Sequence, residues 1–393
     1  MINLIFKRDE LLKALDYCSS SIEKKHPNVI LTHILFDFKD SECTLNATNL
    51  ETVVVAKTHL LEPVQEGKIA VSALYIINIC RLAIGDEVVF IYDDENNVLN
   101  VRSGKSEYKV PCPDASDFPP IPETTKEFKT IEIGKIISAF RKVQFSMSDI
   151  FANKAYSGVL ITKTKEDDGS ESIEFVTTDI HRLSALKLKN FNMNFDEMGT
   201  GEVVPGKSFG IVIPGKNYTE MNKIFANSNE AEMTIDDEKL FVRKDDVMFI
   251  SRLIKNEFPN HRPIIGTYET LNSKEFAVIN RKDLIEAIKR VIVLSSEEKI
   301  WASKYFFNGN VLKMEANSNS GGSSTDEIII EKGFSTERSV AVNAKYFLDV
   351  IGVIDDNCVN IIVEDDKSRP KPMIVKEENE EYFYVHMIMP LRI

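Results

Sequence analysis

No apolar run in the 393-residue chain approaches the roughly 20 residues that a membrane span requires. The opening "MINLIF" is too short for a signal-peptide core and runs directly into Lys7, Arg8, Asp9 and Glu10. Cysteine is sparse: Cys18, Cys43, Cys80, Cys112 and Cys358 are odd in number, scattered, and never spaced as CxxC. That argues against a disulfide framework and a zinc site, and for a reducing, cytoplasmic compartment. The six histidines offer no pair at metal-ligand spacing. Serine, histidine and aspartate nowhere assemble into a catalytic frame. Membrane, secreted, metal-dependent and hydrolytic classes all lose support.

What is present is a globular composition, 43% hydrophobic and 28% charged, without a disorder signature. The length exceeds one ordinary core and suggests two or three domains. The formal charge of −13 argues against nucleic acid unless basic residues are segregated onto one surface. The chain closes on "YVHMIMPLRI", an apolar run that must be buried in its own fold or held ready for a partner.

Four features recur in the same order three times. Leu11-Leu12-Lys13-Ala14-Leu15, Ile136-Ile137-Ser138-Ala139-Phe140 and Leu284-Ile285-Glu286-Ala287-Ile288 each place apolar residues at i, i+1 and i+4 with alanine at i+3, one face of a helix. "VSALY", "IPGKNY" and "VNAKY" each follow a β-rich run and precede a helical pattern, with Ser72, Pro214 and Asn343 at N-cap or first-turn positions. Asp93-Asp94, Asp236-Asp237 and Asp365-Asp366 mark turns between alternating strands. "DFPPIP", "EFPNHRPII" and "IMPLRI" close the units. The reading is α+β: three tandem homologous domains at 1–127, 128–270 and 271–393, each with two helices against antiparallel sheet. The strands that close each unit are expected to pair across the boundaries, because exposed sheet edges need cover.

The six expected helices carry 16 basic against 8 acidic side chains, so they hold +8 while the remainder holds −21. Such segregation fits a basic helical surface tracking a phosphate backbone on an acidic body. Two local motifs compete with that reading. "GEVVPGKS", from Gly201 to Ser208, matches the phosphate-loop pattern, but that loop needs a strand before it and a helix after it. Here "FGIVIP" follows, a β pattern, and Pro205 removes one amide from the cradle. "TTDIHRLS", from Thr177 to Ser184, holds an Asp-x-His-Arg set, yet Thr48-Asn49-Leu50-Glu51 and Ala316-Asn317-Ser318-Asn319 occupy matching places. A turn is the base state there, with a binding role left open for the middle copy.

Three copies, basic helices, "TDIHRLS", "NRKDLIEAIKRVIVLSS" and "MIMPLRI" together resemble the bacterial replicative sliding clamps, the beta subunits of DNA polymerase III. The resemblance spans the whole chain. It implies a clamp fold in which one chain forms half of a ring, and two chains close head to tail around duplex DNA with twelve helices lining the hole. It implies no enzyme and no cofactor, but a tether for the replicative DNA polymerase and repair proteins, loaded by a clamp loader.

The resemblance also implies sites. Client peptides would bind a groove formed by Tyr156, Thr178, His181, Arg182, Leu183, Pro259 and Ile264 with Asn343, Tyr346, Met387, Met389, Pro390, Leu391 and Arg392. In the terminal run, Val385 and Ile388 are expected to point inward, while Met387, Met389 and Leu391 face the cleft. DNA would be faced by Lys24, Lys25, Arg81, Arg141, Lys142, Lys216, Lys289 and Arg290, and the homodimer contact would involve Tyr108, Val293 and Leu294. The chain departs from the family in Ile180, where glycine is common, and in two longer turns at 163–172 and 318–324. The alternatives are a nucleotide-binding enzyme using Gly201 to Ser208, and a repeat scaffold that shows no preference for circular over linear DNA.

Overall fold

The period-2 segments form strands and the alanine-bearing amphipathic segments form helices. They do so in a computed structural model that describes all residues except 24, 149–153, 166–170, 190, 192–209, 237, 257, 262–267, 296–299, 365–370 and 393. Its helices are α1 (Arg8–Ser19), α2 (Ala73–Leu82), α3 (Ile133–Val143), α4 (Gly215–Phe225), α5 (Tyr268–Asn272), α6 (Arg281–Val291) and α7 (Ala344–Val353). The strand pairs are antiparallel throughout the described residues, and no described helix is long and apolar enough to cross a membrane.

Two compact units result. One holds Met1–Lys135 and Lys216–Leu253, and the other holds the described parts of Ile136–Asp196, Thr200–Gly215 and Ile254–Ile393. In the first, a ten-stranded sheet runs in the order Ser106–Pro111, Val98–Ser103, Glu87–Asp93, Ile2–Lys7, Thr52–Ser72, Val247–Arg252, Lys239–Lys244, Ala231–Asp236, Lys129–Ile131. His33–Thr48 pairs with the long strand Thr52–Ser72. Val247–Arg252, which closes the middle repeat, thus joins the first repeat, with Val247 opposite Ala56 and Ser251 opposite Thr52. This pairing explains why the compact units do not follow the repeat boundaries: ladder hydrogen bonds bind a closing strand to the neighbouring repeat.

The first unit's core centres on Phe6, Phe36 and Phe90, edge to face with centroids 5.1 to 6.3 Å apart. On α1 the buried residues are Leu11, Ala14, Leu15 and Cys18, while Leu12 is only half-buried. The same positions are buried on α6, as Leu284, Ala287, Ile288 and Val291. The buried stripe is therefore i, i+3, i+4 and i+7, not the i, i+1, i+4 set of the sequence pattern, because 3.6 residues per turn swings i+1 toward the flank.

In the second unit an eight-stranded sheet runs Gly210–Pro214, Gly158–Lys165, Glu171–Thr178, Arg182–Leu188, Tyr382–Ile388, Met373–Glu378, Cys358–Ile362, Ala277–Asn280. A four-stranded sheet runs Ser323–Ile329, Val311–Asn317, Ala302–Asn308, Arg338–Asn343. Arg182–Leu188 and Tyr382–Ile388 pair along their whole length, from Arg182 opposite Ile388 to Leu188 opposite Tyr382, so again a closing strand joins the neighbouring repeat. The phosphate-loop match at 201–208 lies outside the described residues. The element that follows it is the strand Gly210–Pro214, paired with 158–162, and not the helix such a loop requires.

Strands ending at Ser72, Pro214 and Asn343 hand over directly to α2, α4 and α7. Asn343 caps α7, its Oδ1 accepting from the Lys345 amide at 3.1 Å. Ser72 holds the N-cap position of α2 without making a side-chain cap bond.

Candidate functional site

The motif Thr178-Asp179-Ile180-His181-Arg182 folds into a turn stitched by its own side chains. Thr178 Oγ1 donates to the Arg182 carbonyl at 2.7 Å and accepts from the Ile180 amide at 3.1 Å. Asp179 Oδ1 accepts from the amides of His181 and Arg182 at 3.0 and 2.9 Å. The first repeat builds the same turn with Thr48 and Asn49: Thr48 Oγ1 to Thr52 O at 2.8 Å, and Asn49 Oδ1 from Glu51 N and Thr52 N at 3.0 and 2.7 Å. In the third repeat the longer Ser/Gly turn replaces it, closed by Ser318 N to Gly322 O at 2.7 Å, with Gly321 at φ +93°. Short polar side chains that mimic the backbone account for the first two turns.

Beside the Thr178 turn lies an apolar cavity of about 130 Å³ lined by Tyr156, Thr178, Ile180, Arg182, Leu183, Pro259, Asn260, His261, Met387 and Met389. Its floor is the core itself. Leu183 and Met387 face each other across the strand pair and belong to a buried cluster with Val176, Ala185, Ile374, Phe383 and Val385. A docked apolar group would therefore rest on a surface that cannot collapse away from it.

Arg182 ties the turn to α7. Its Nε meets Asp179 Oδ2 at 2.9 Å, its Nη1 meets Asp349 Oδ2 at 2.6 Å, and its guanidinium stacks 4.1 Å from the Tyr346 ring centroid. Burial and the Asp179 carboxylate push the Tyr346 phenol upward. Under the other face of the strand pair, Ser184 Oγ contacts His386 Nδ1 and Ser146 Oγ, both at 2.7 Å, and His386 Nε2 has no hydrogen-bond partner among the described residues. Burial, with the Arg182 charge adding, holds His386 well below the usual imidazole range. His261 is also buried, with Nε2 at 3.0 Å from Glu174 Oε2.

Comparison with known proteins bears on what this cavity serves. Profiles of the DNA polymerase III beta subunit match end to end: the N-terminal domain over residues 2–122, the central domain over 130–260 and the C-terminal domain over 271–392. This chain belongs to the DNA polymerase III beta-subunit family. A "Beta sliding clamp" of Pseudomonas putida is 23% identical over 395 residues, covering 100% of both chains. The fold is shared with the DNA polymerase sliding clamp of Bacillus subtilis, with a TM-score of 0.85 at 20% identity over 100% of this chain and 99% of that one. It is also shared with a Pseudomonas aeruginosa sliding clamp bound to griselimycin, with a TM-score of 0.83 at 22% identity over 100% of both.

Of the residues the beta-subunit resemblance assigns to the groove, Tyr156, Thr178, Arg182, Leu183, Pro259, Met387 and Met389 line the cavity. Tyr346 stands behind Arg182. Asn343 is buried as a helix cap. His181 is exposed and contributes its carbonyl, which accepts from the Met389 amide at 2.9 Å. Pro390, Leu391 and Arg392 are not among the lining residues. The Leu391 amide is pinned to the Ala341 carbonyl at 2.7 Å, and Ile264 lies outside the described residues. Val385 and Ile388 are buried, Val385 in the core cluster, but the expected separation of Met387 from them is corrected: Met387 shares the face of Val385, because residues two apart on a strand point the same way. Asn260 and His261 line the cavity without having been expected, although the "EFPNHRPII" signal already flanked them with Pro259 and Ile264.

Among the basic residues, Lys25, Arg81, Arg141, Lys216, Lys289 and Arg290 are exposed and Lys24 lies outside the described residues. Arg81, Lys216 and Arg290 hold surface ion pairs with Asp16, Glu23 and Asp326, of the weak kind that a phosphate can replace. Lys142 is a correction. It is 4% exposed, with Nζ at 2.8 Å from Glu377 and 2.9 Å from Asp355, so it faces a carboxylate pocket and not solvent. Tyr108 lies on the terminal strand Ser106–Pro111 of the ten-stranded sheet. Val293 and Leu294 are exposed after α6.

Proposed function

We propose that two copies of this chain close head to tail into a ring around duplex DNA, and that the ring tethers its clients through the cavity beside the Thr178 turn. The clients are the replicative DNA polymerase, repair proteins carrying short hydrophobic peptides, and the clamp loader that opens the ring. The observation that carries the reading is the cavity itself: an apolar, core-floored groove in a chain whose whole length matches the beta-subunit family. A hydrophobic peptide side chain buried there is worth about 1.5–3 kcal/mol, enough for a few anchors to hold a polymerase reversibly.

The ring is supported by sheet ends. Ser106–Pro111 ends the ten-stranded sheet and Ser323–Ile329 ends the four-stranded one, and unpaired edges invite a partner strand. A contact between unlike surfaces that closes after two copies would cover both. The three repeats, taken as 1–127, 128–270 and 271–393, would bring their basic helices to the DNA with weak, sequence-independent, salt-sensitive contact. No catalytic step belongs to this role, and the site of action is the cytoplasm where the chromosome lies.

The test is retention. Protein loaded onto a nicked DNA circle should remain bound while the circle is closed on itself and escape once the circle is cut. Equal lifetimes on circular and linear DNA would remove the ring reading and favour a scaffold that does not encircle DNA.

A further inference from the structure

We infer that Ile180 is a specificity-determining wall of the groove, an inference that rests on the groove reading above. Ile180 sits at φ +79°, the left-handed region that β-branched residues strongly disfavour. The turn does not need this side chain, since Thr178 and Asp179 supply the bonds that define it. Glycine or asparagine would hold the same backbone with less strain. Nor does the fold bury the side chain for its own sake: it is 67% exposed, yet it lines the cavity with Tyr156, Pro259 and Met389. A strained, water-facing isoleucine on the rim of an apolar cavity gains only when the cavity is filled, because an occupant then strips water from it.

The occupant is a large aliphatic or aromatic side chain of a client peptide. Apolar cavities of about 150 Å³ admit a benzene ring, so the space of about 130 Å³ here suits one such group. With Ile180 closing one side, the groove rewards a bulky apolar residue over a small or polar one at that position. Leu50 provides an internal control. It occupies the matching turn of the first repeat at φ +72°, is likewise exposed, and does not line this cavity.

Griselimycin serves as the probe, titrated calorimetrically into the full chain and into Ile180→Gly, Ile180→Asn and Leu50→Gly. Both Ile180 variants should bind about fivefold more weakly or worse, since a rim contact is lost. Their melting temperatures should match or exceed that of the parent, because the strain is relieved. Leu50→Gly should share the thermal behaviour and keep the parent affinity. Equal affinity in the Ile180 variants and the parent overturns the inference while leaving the groove reading standing. Equal weakening in all three variants also overturns it. No binding to the parent chain overturns the groove reading, and the inference with it.

Discussion

Replacing Lys142 with methionine preserves the long apolar stem and deletes the charge. The structure sets what that removes: Nζ bonds to Glu377 Oε2 at 2.8 Å, Asp355 Oδ2 at 2.9 Å and the Val353 carbonyl at 2.8 Å, and lies 4.7 Å from the Tyr382 ring centroid. Lys142 and Glu377 are 4% and 2% exposed, so water cannot take over the contact. Asp355 titrates accordingly: burial alone would raise its carboxyl, and the hydrogen bonds from Lys142 and Tyr382 bring it below the usual range. Removing one partner of a buried pair costs about 3–5 kcal/mol. Glu377 would keep the Tyr382 hydroxyl at 2.9 Å and the Asp355 and Asp356 amides at 2.7 and 3.0 Å, which favours the lower end of that range. Dividing about 3 kcal/mol by a urea dependence of about 2–3 kcal/mol per molar gives a midpoint lowered by about 1–1.5 M. Trp301, the single tryptophan, lies in the same compact unit as Lys142 and reports the transition by fluorescence. Lys142→Met combined with Glu377→Leu should recover most of the loss, since no buried charge is then stranded and the exposed Asp355 carboxylate turns to water. A midpoint drop below about 0.3 M, or a double variant no better than the single one, would refute the assignment of Lys142 to the interior. The salt dependence of DNA retention should be unchanged by Lys142→Met, as expected of a lysine that meets no phosphate.

Leu294→Asp places a carboxylate on the proposed contact between copies, where burial without a partner is costly. The variant should sediment as a monomer at micromolar concentration, and a dimer there would move the interface elsewhere. His386 gives a pH signature. The unfolded imidazole takes up a proton near its ordinary value of 6.5 while the buried one stays neutral, so stability is full above that pH and falls below it. The loss is up to about 1.4 kcal/mol per pH unit. The Trp301-monitored urea midpoint should fall from pH 7.5 to 5.5, and His386→Gln should shrink that fall, whereas identical pH dependence in both proteins would sink the assignment.

What could be read from the chain was local or periodic. The alanine-bearing helices, the strands that end at Ser72, Pro214 and Asn343, and the polar turns at Asn49 and Asp179 depend on residues within about one turn or one hairpin of each other. The cavity was legible through the same turn and the closing strands. Lys142 was not, because a basic residue at the end of an amphipathic helix looks solvated until Glu377, 235 positions further on, is folded against it. The strain at Ile180 showed only indirectly, through the glycine common at its place in the family. Its side-chain chemistry suits a strand, and the positive φ is imposed by the hydrogen bonds of Thr178 and Asp179 on either side of its peptide.

The apolar closing run has two causes that separate along its length. Tyr382–Ile388 is paired on both edges, with Arg182–Leu188 and with Met373–Glu378, and every one of its residues is buried. A strand covered on both faces reads as a continuous apolar run whatever its function. One face sends Phe383, Val385 and Met387 into the core cluster, while the other brings His386 against Ser184. Only where the strand leaves the sheet does the run meet the groove: Met387 reaches the cavity from the last inward position, and Met389, 45% exposed, reaches it after the ladder has ended. The thioether chains at that exit are flexible, while the strand behind them stays fixed by its two neighbours. Cavity and core are thus built from one strand, and on the proposed reading its end is where substitutions should change peptide affinity without loss of fold.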